Sequence, residues 1–265
     1  MSSLFTVWLY GLPVALTLVF LVWLVSLVRR DASVIDIFWG PGFVSLAWVY
    51  AVVSDGWPSR RLLVLALVSL WGLRLAAHIL WRSRGKGEDY RYAEMRERYG
   101  ARFWWVSLIT VFLLQGVLMW LISAPLLQVI AAAESGSLTI FDLIGSVLFV
   151  IGFLFEAIGD LQLARFRTDP GNRGKVLRSG LWRYTRHPNY FGDSVVWWSF
   201  YVLALGTPGA LWTIYSPILM TLLLLKVSGV GMLEKKLKRT RSEYADYVAS
   251  TNAFLPWFPR SPSRR

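Results

Sequence analysis

Five unbroken apolar runs constrain this chain more than any other feature. Leu16–Val28, Leu62–Leu73, Leu108–Leu114, Leu143–Phe155 and Ile218–Leu225 contain no ionisable side chain. With their flanks they form segments of roughly 20 residues, the length a helix needs to cross about 30 Å of hydrocarbon. Of the 265 residues, 55% are hydrophobic and 17% charged, with a mean hydropathy of +0.48. A soluble domain carries about 25% charged residues, and a disordered chain needs low hydrophobicity. The expected fold is therefore all-α: a polytopic membrane protein forming one integral domain over residues 1–265.

Seven spans are expected, at roughly 4–28, 33–54, 62–81, 104–130, 139–163, 189–206 and 209–231. The first does not read as a cleaved signal peptide, because Met1–Phe5 carry no side-chain cation, the apolar core is too long, and Arg29 and Arg30 follow it. Two cations follow the first span, seven the third, seven the fifth, and eight lie in the tail, together 24 of the 28 lysines and arginines. The opposite loops hold only Arg60 and Arg61, while Arg74 and Lys226 fall inside spans. The positive-inside rule then places the N-terminus outside and the C-terminus in the cytoplasm, in the inner (plasma) membrane. Outer linkers are short, at Ser135–Ser137 and Gly206–Gly209.

The net charge of +12 would suggest nucleic acid in a soluble protein. Here the arginines sit between apolar spans, so topology and a polyanionic ligand account for them, with the lipid bilayer as partner and neither nucleic acid nor an obligate protein partner expected. The absence of cysteine excludes disulfide and thiolate chemistry. Two histidines far apart, His78 and His187, are too few soft ligands for a zinc cluster, so no metal is expected. No internal repeat points to a transporter built from inverted halves.

Ionisable groups inside spans are costly and mark candidate sites. They are Asp36, Arg74, His78, Glu156, Asp160 and Asp193, with Gln115 as a neutral polar partner. Glu156 and Asp160 stand four apart on one face of the fifth helix, and Arg167 continues that face if the helix persists. Interhelical pairing, such as Arg74 with Asp36, is the structural alternative. The densest polar stretch runs from Arg178 to Asp193. Gly180 permits a tight turn, and Pro188 suits the first turn of a helix, whose N-terminus attracts anions. Arg178, Arg183 and Arg186 add guanidinium groups that pair with phosphate, Asn189 can read an amide or hydroxyl, and Asp193 can accept from a ribose hydroxyl or carboxamide. The alternative is a basic loop touching anionic lipid. His187 is a candidate general acid, or else an interfacial contact or cap. A second polar, aromatic loop, Gly85-Lys-Gly-Glu-Asp-Tyr-Arg-Tyr92, precedes a helix expected over Ala93–Tyr99 and is expected to set Arg91 and Tyr92 against a cofactor.

Several strings carry a family resemblance: Asp36-Ile-Phe-Trp-Gly-Pro-Gly-Phe43, the loop Gly85–Tyr92, Leu114-Gln-Gly116, Arg186-His-Pro-Asn-Tyr-Phe-Gly-Asp193, and Tyr244-Ala-Asp-Tyr247 followed by Leu255-Pro-Trp257. On these the chain resembles the bacterial membrane family of unassigned function DUF1295, grouped with the steroid 5-alpha-reductase C-terminal domain superfamily. The likeness is good over about 30–130, and residues 150–258 are similar to the reductases' C-terminal region. The resemblance implies a bundle of seven transmembrane helices with a cytoplasm-facing cavity for NADPH. It implies that Asp160, Arg167, Asn189 and Asp193 contact this cofactor, joined by Glu156, Lys175, Arg178, Arg91 and Tyr92. Gln115 matches a glutamine of the fourth helix.

The implied reaction is reduction of a carbon–carbon double bond conjugated to a ketone in a steroid or isoprenoid-like lipid. The reductases' Gln-Glu pair on the second helix is replaced here by Phe38-Trp-Gly, and a third-helix tyrosine by Trp71 or its neighbours. Hydride delivery to such an enone puts negative charge on the carbonyl oxygen, which a donor in a water-poor cavity stabilises. Asp36, kept protonated by burial, is the candidate catalytic donor, and His78 the alternative. The Arg-His-Pro-x-Tyr-x-Gly string and the Glu-Tyr-x-x-Tyr tail also resemble isoprenylcysteine and phospholipid methyltransferases. That alternative implies S-adenosylmethionine, served by Glu234, Tyr244 and Tyr247. A non-catalytic lipid-binding or scaffolding protein is a third class and would bind neither cofactor.

Overall fold

The computed structural model describes residues 3–56, 58–132, 138–227, 234 and 243–260. These residues form helices joined by turns, with no strand among them. The expected linker Ser135–Ser137, residues 228–231 of the expected seventh span, and tail cations Lys235, Lys236, Lys238, Arg239, Arg241, Arg264 and Arg265 lie outside the described residues.

Among the described residues, four helices are long and apolar enough to cross a membrane: Leu4–Arg29, Pro58–Ser83, Tyr90–Ile122 and Ile140–Thr168. They fit a multi-pass membrane protein. Val28 is 87% exposed and Val52 80%; apolar side chains facing outward at that level suit lipid as the surrounding solvent. The second expected span is shorter than read, because the chain turns at Phe38 between α2 (Val34–Ile37) and α3 (Trp39–Val53). Fifteen residues at about 1.5 Å each reach only about 22 Å. The fourth starts earlier: the helix expected over Ala93–Tyr99 runs on through Tyr90–Ile122, with a wider π turn at Leu108–Leu113.

The chain divides into two compact units. The first comprises Met1–Asp142 and Ala204–Ser216. Its α1 (Leu4–Arg29) starts at the Ser3 hydroxyl, which accepts from the Thr6 N–H at 3.1 Å, and ends where Arg30 turns left-handed at φ 51°. Helix α3 crosses α4 (Pro58–Ser83) glycine on glycine. A Cβ built on Gly40 would lie 2.0 Å from the Gly72 carbonyl oxygen, so only small residues let the two backbones approach this closely. The described part of the run Tyr90–Ile122 continues from α5 (Tyr90–Tyr99) through α6 (Phe103–Ser107) to α7 (Leu114–Ile122), followed by α8 (Ala124–Ile130).

Arg60, read from the sequence as a loop charge, is buried. Its Nε donates to Asp142 at 2.9 Å, and one terminal nitrogen donates to the Gly206 carbonyl at 3.0 Å and to the Thr207 hydroxyl at 2.8 Å. Asp142 also accepts from the Thr139 N–H at 2.7 Å, the reciprocal geometry of a capping box.

The second unit comprises Leu143–Leu203 and Pro217–Arg265. It holds most of α9 (Ile140–Thr168), of α10 (Pro188–Leu205) and of α11 (Tyr215–Leu222), and the helix Tyr244–Ser250. Helices α9 and α10 meet along Gly145, Gly152 and Gly159, spaced seven apart. A Cβ on Gly192 would lie 2.4 Å from the Glu156 backbone nitrogen and 2.5 Å from the Gly152 oxygen.

Candidate functional site

Two polar clusters stand out, one in each unit. In the first unit, the loop Gly85–Tyr92 is strapped onto residues 31–36. Glu88 accepts the Ala32 N–H at 2.7 Å and takes two bonds from Arg96, at 2.8 and 2.9 Å. These bonds outweigh burial and hold the Glu88 carboxyl below its ordinary value. Asp89 caps α5 by accepting from the Arg91 N–H at 3.0 Å and from Arg91 Nε at 2.8 Å. Against the raising effect of burial, these contacts lower its carboxyl too.

Arg91 then reaches Asp36 Oδ2 at 2.7 Å, and the Tyr92 hydroxyl donates to Asp36 Oδ1 at 2.7 Å. Arg91 thus meets Asp36, whose carboxyl group accepts on both oxygens. Trp39 donates to Gln115. His78 lies on α4 with its ring 6.1 Å from that of Trp81. Sequence reading found Asp36, Arg91, Tyr92 and Gln115 one by one. It missed the strap formed by Glu88, Arg96 and Ala32, whose only signal was the density of charge around residue 88.

In the second unit, α9 runs unbroken to Thr168, so Asp160 and Arg167 share a face two turns apart. The chain turns at Gly180, where φ is +61° and the Gln162 side chain accepts the Leu181 N–H at 3.0 Å. Pro188 opens α10, the position where its missing N–H costs nothing. Asn189 donates to Asp160 at 3.0 Å, and Glu156 and Asp160 are buried.

A cavity of about 330 Å³ opens beside this crossing. Its exposed residues include Arg167, Arg173 and Lys175, and its buried ones Trp182, Arg186, His187, Tyr244 and Tyr247. Of the expected cofactor contacts, Arg167 and Lys175 line it; Glu156, Asp160, Asn189 and Asp193 are not in its lining. Arg178 belongs to a second, shallower cavity.

The buried wall is held by long-range contacts. Arg186 donates to Glu234 at 2.8 Å and to the carbonyls of Val248, at 3.3 Å, and Thr251. His187 Nε2 lies 3.4 Å from the same Glu234 oxygen, while His187 Nδ1 has no hydrogen-bond partner among the described residues. Burial pulls the Glu234 carboxyl upward, but hydrogen bonds from His187 and Arg186 and the charge of Arg186 bring it down to about 2. The Tyr247 hydroxyl donates to the Trp182 carbonyl. Burial, reinforced by the Glu234 charge, leaves the Tyr244 phenol pushed up to about 12.

Phosphate-bearing ligands suit this lining, which combines three exposed cations with aromatic side chains and the buried Arg186 of a guanidinium–carboxylate pair. The volume falls within the roughly 300–1,000 Å³ of small-molecule sites.

Comparison with known proteins finds one similar curated protein, an uncharacterised protein of Schizosaccharomyces pombe, C594.04c. It is 27% identical over 235 residues, covering 78% of this chain and 67% of the relative. No solved structure matches. The family described as "Protein of unknown function (DUF1295)" matches residues 22–251, and the chain belongs to that family.

Proposed function

We propose that this protein is a membrane-embedded, NADPH-dependent reductase of a carbon–carbon double bond conjugated to a ketone in a steroid or isoprenoid-like lipid. The observation that carries this reading is the second-unit cavity, where Arg167, Arg173 and Lys175 surround an opening walled by Trp182, Tyr244 and Tyr247. Guanidinium and ammonium groups pair with phosphate oxygens, and NADPH brings several phosphate charges. When bound, NADPH supplies the hydride. The residues of this chain do the rest: the exposed cations bind the phosphates, and Trp182 and the two tyrosines exclude water.

Asp36 and His78 are the proposed groups for the substrate carbonyl. Arg91 and the Tyr92 hydroxyl both donate to Asp36, so donation to the carbonyl from this cluster requires Asp36 in its protonated form, and with Asp36 ionised the donor is His78. Wild-type turnover by both Asp36→Ala and His78→Ala would remove these two residues from the reaction.

A second reading, an S-adenosylmethionine-dependent methyltransferase of a lipid or prenylated substrate, is favoured by one observation. His187, Tyr244 and Tyr247 line the same cavity, and Glu234 braces His187. Calorimetry on the detergent-purified protein separates the two: the reductase requires NADPH binding, and S-adenosylmethionine binding without NADPH binding establishes the alternative. We further propose that the chain lies in the plasma membrane with its C-terminus cytoplasmic, on the strength of its cation distribution. Reporter fusions after Ala133 and after Arg265 must then report opposite sides.

A further inference from the structure

The segment that follows the helix Tyr244–Ser250 presents its largest apolar side chains outward. Leu255 is 66% exposed, Trp257 68% and Phe258 75%. A loose tail would show the same exposure, but this segment is fastened. The Trp257 N–H donates to the Tyr184 carbonyl at 2.9 Å, the Arg260 N–H donates to the Ser250 carbonyl at 2.8 Å, and the Phe258 ring packs edge-on against Tyr184 at 6.0 Å. Thr185 binds the same stretch from the other side, its hydroxyl donating to the Phe254 carbonyl at 2.8 Å. The backbone is therefore held while three apolar side chains are kept out of the core.

Directly beside them lies the second cavity of this unit, about 400 Å³ and open, lined by Arg178, Arg183 and Pro259 among others. Both arginines are exposed. Arg178 donates one nitrogen to the Glu243 carbonyl and lies 5.7 Å from the Tyr247 ring, which sets its orientation. An exposed Leu-x-Trp-Phe knuckle bordering an open pocket with two guanidinium groups matches one environment chemically. That environment is the membrane–water boundary, where tryptophan favours the headgroup level and arginine attracts anionic headgroups.

We infer that residues 255–258 form an interfacial anchor and that Arg178 and Arg183 hold the phosphate of an anionic phospholipid next to it. The site adjoins the cavity assigned to the cofactor, sharing Tyr247 with it, and its arginines line only the second cavity, so it stands whether or not the first binds a nucleotide. An adjoining peptide or soluble partner would have to match apolar side chains and a phosphate-pairing pocket at once; a bilayer containing anionic lipid supplies both from one surface.

The test uses the full chain in nanodiscs. The protein has no cysteine, so a nitroxide attached to Phe258→Cys reports from that position alone. Its collision rate with oxygen, which partitions into lipid, is expected to exceed that with a water-soluble nickel chelate several-fold. Equal or greater collision with the nickel chelate overturns the anchor.

For the phosphate pocket, protein is purified from a mixed phosphatidylglycerol and phosphatidylcholine preparation and its retained lipid is counted by native mass spectrometry. Several-fold enrichment of phosphatidylglycerol is expected, falling toward the bulk ratio in the Arg178→Gln, Arg183→Gln double variant and part-way in Arg183→Gln, whose exposed side chain leaves the fold intact. No enrichment in the wild type, or full enrichment in the double variant, overturns the lipid site.

Discussion

Tyr92 donates its hydroxyl hydrogen to Asp36 at 2.7 Å, across 56 residues of sequence. With Arg91 on the other carboxylate oxygen, this bond fastens the polar loop Gly85–Tyr92 to α2. Asp36→Ala leaves a half-buried guanidinium and a phenol without their acceptor. It should cost about 1–3 kcal/mol, below the figure for a fully buried pair because Arg91 keeps Asp89 as a partner and some solvent contact. Tyr92→Phe removes one neutral donor and should cost about 1 kcal/mol. Thermal unfolding in detergent measures both, and the order Asp36→Ala worse than Tyr92→Phe is the expected outcome.

Glu234 ties pH to stability. Its carboxyl is held down to about 2 in the fold against an ordinary value of 4.5. As pH falls, the unfolded chain takes up this proton before the folded one does. The stabilisation is therefore complete above pH 4.5 and is lost as pH drops toward 2. Glu88 and Asp89, also lowered, act in the same direction. Melting temperatures recorded from pH 7 downward should decline through this acid window, with a shallower decline in Glu234→Gln.

Under the proposed function, Arg167→Ala should weaken NADPH binding by about 1.5–3 kcal/mol, the worth of a hydrogen bond to a charged group. Lys175→Ala should act in the same direction. Raising salt should weaken the wild type more than Arg167→Ala, since exposed cations are screened. Titration calorimetry at two ionic strengths reads both effects.

The α3–α4 crossing makes a glycine contrast. Gly40→Ala places a methyl carbon 2.0 Å from a backbone oxygen, and because backbone must shift to admit it, the cost should be about 3 kcal/mol. Gly87→Ala meets nothing within 4 Å and should stay within about 1 kcal/mol of the wild type. Chemical or thermal unfolding of the two variants side by side gives the comparison.

Arg60 and Asp142 form a buried pair at 2.9 Å. Removing one partner strands a buried charge, so Arg60→Ala should destabilise by about 3–5 kcal/mol. The double replacement Arg60→Met, Asp142→Leu removes both charges and should recover much of that loss, which a double-mutant cycle in thermal unfolding measures.

Helix content and membrane character were legible along the chain, because apolar run length and the placement of Gly180 and Pro188 are local properties. Local rules act within a few residues, so they found the turn at Gly180 and the start of α10, but they ended the fifth span at Leu163 and left the persistence of α9 through Arg167 open. They misjudged the second span, where a single turn at Phe38 shortens α3, and they left Arg60 in a loop although Thr139-x-x-Asp142 carried a capping pattern. The pairings of the candidate sites were not legible. Arg91 meets Asp36 across 55 residues and Arg186 meets Glu234 across 48; charge partners at such separations are chosen by which helix faces pack together. Sequence alone determined that the chain is a membrane-suited all-helical protein rich in cations at its loops. Only the tertiary structure decided which of those cations are spent on internal carboxylates, as Arg60, Arg91 and Arg186 are, and which, like Arg173 and Lys175, stand exposed at a cavity, because burial is a property of the packed surface and not of the residue.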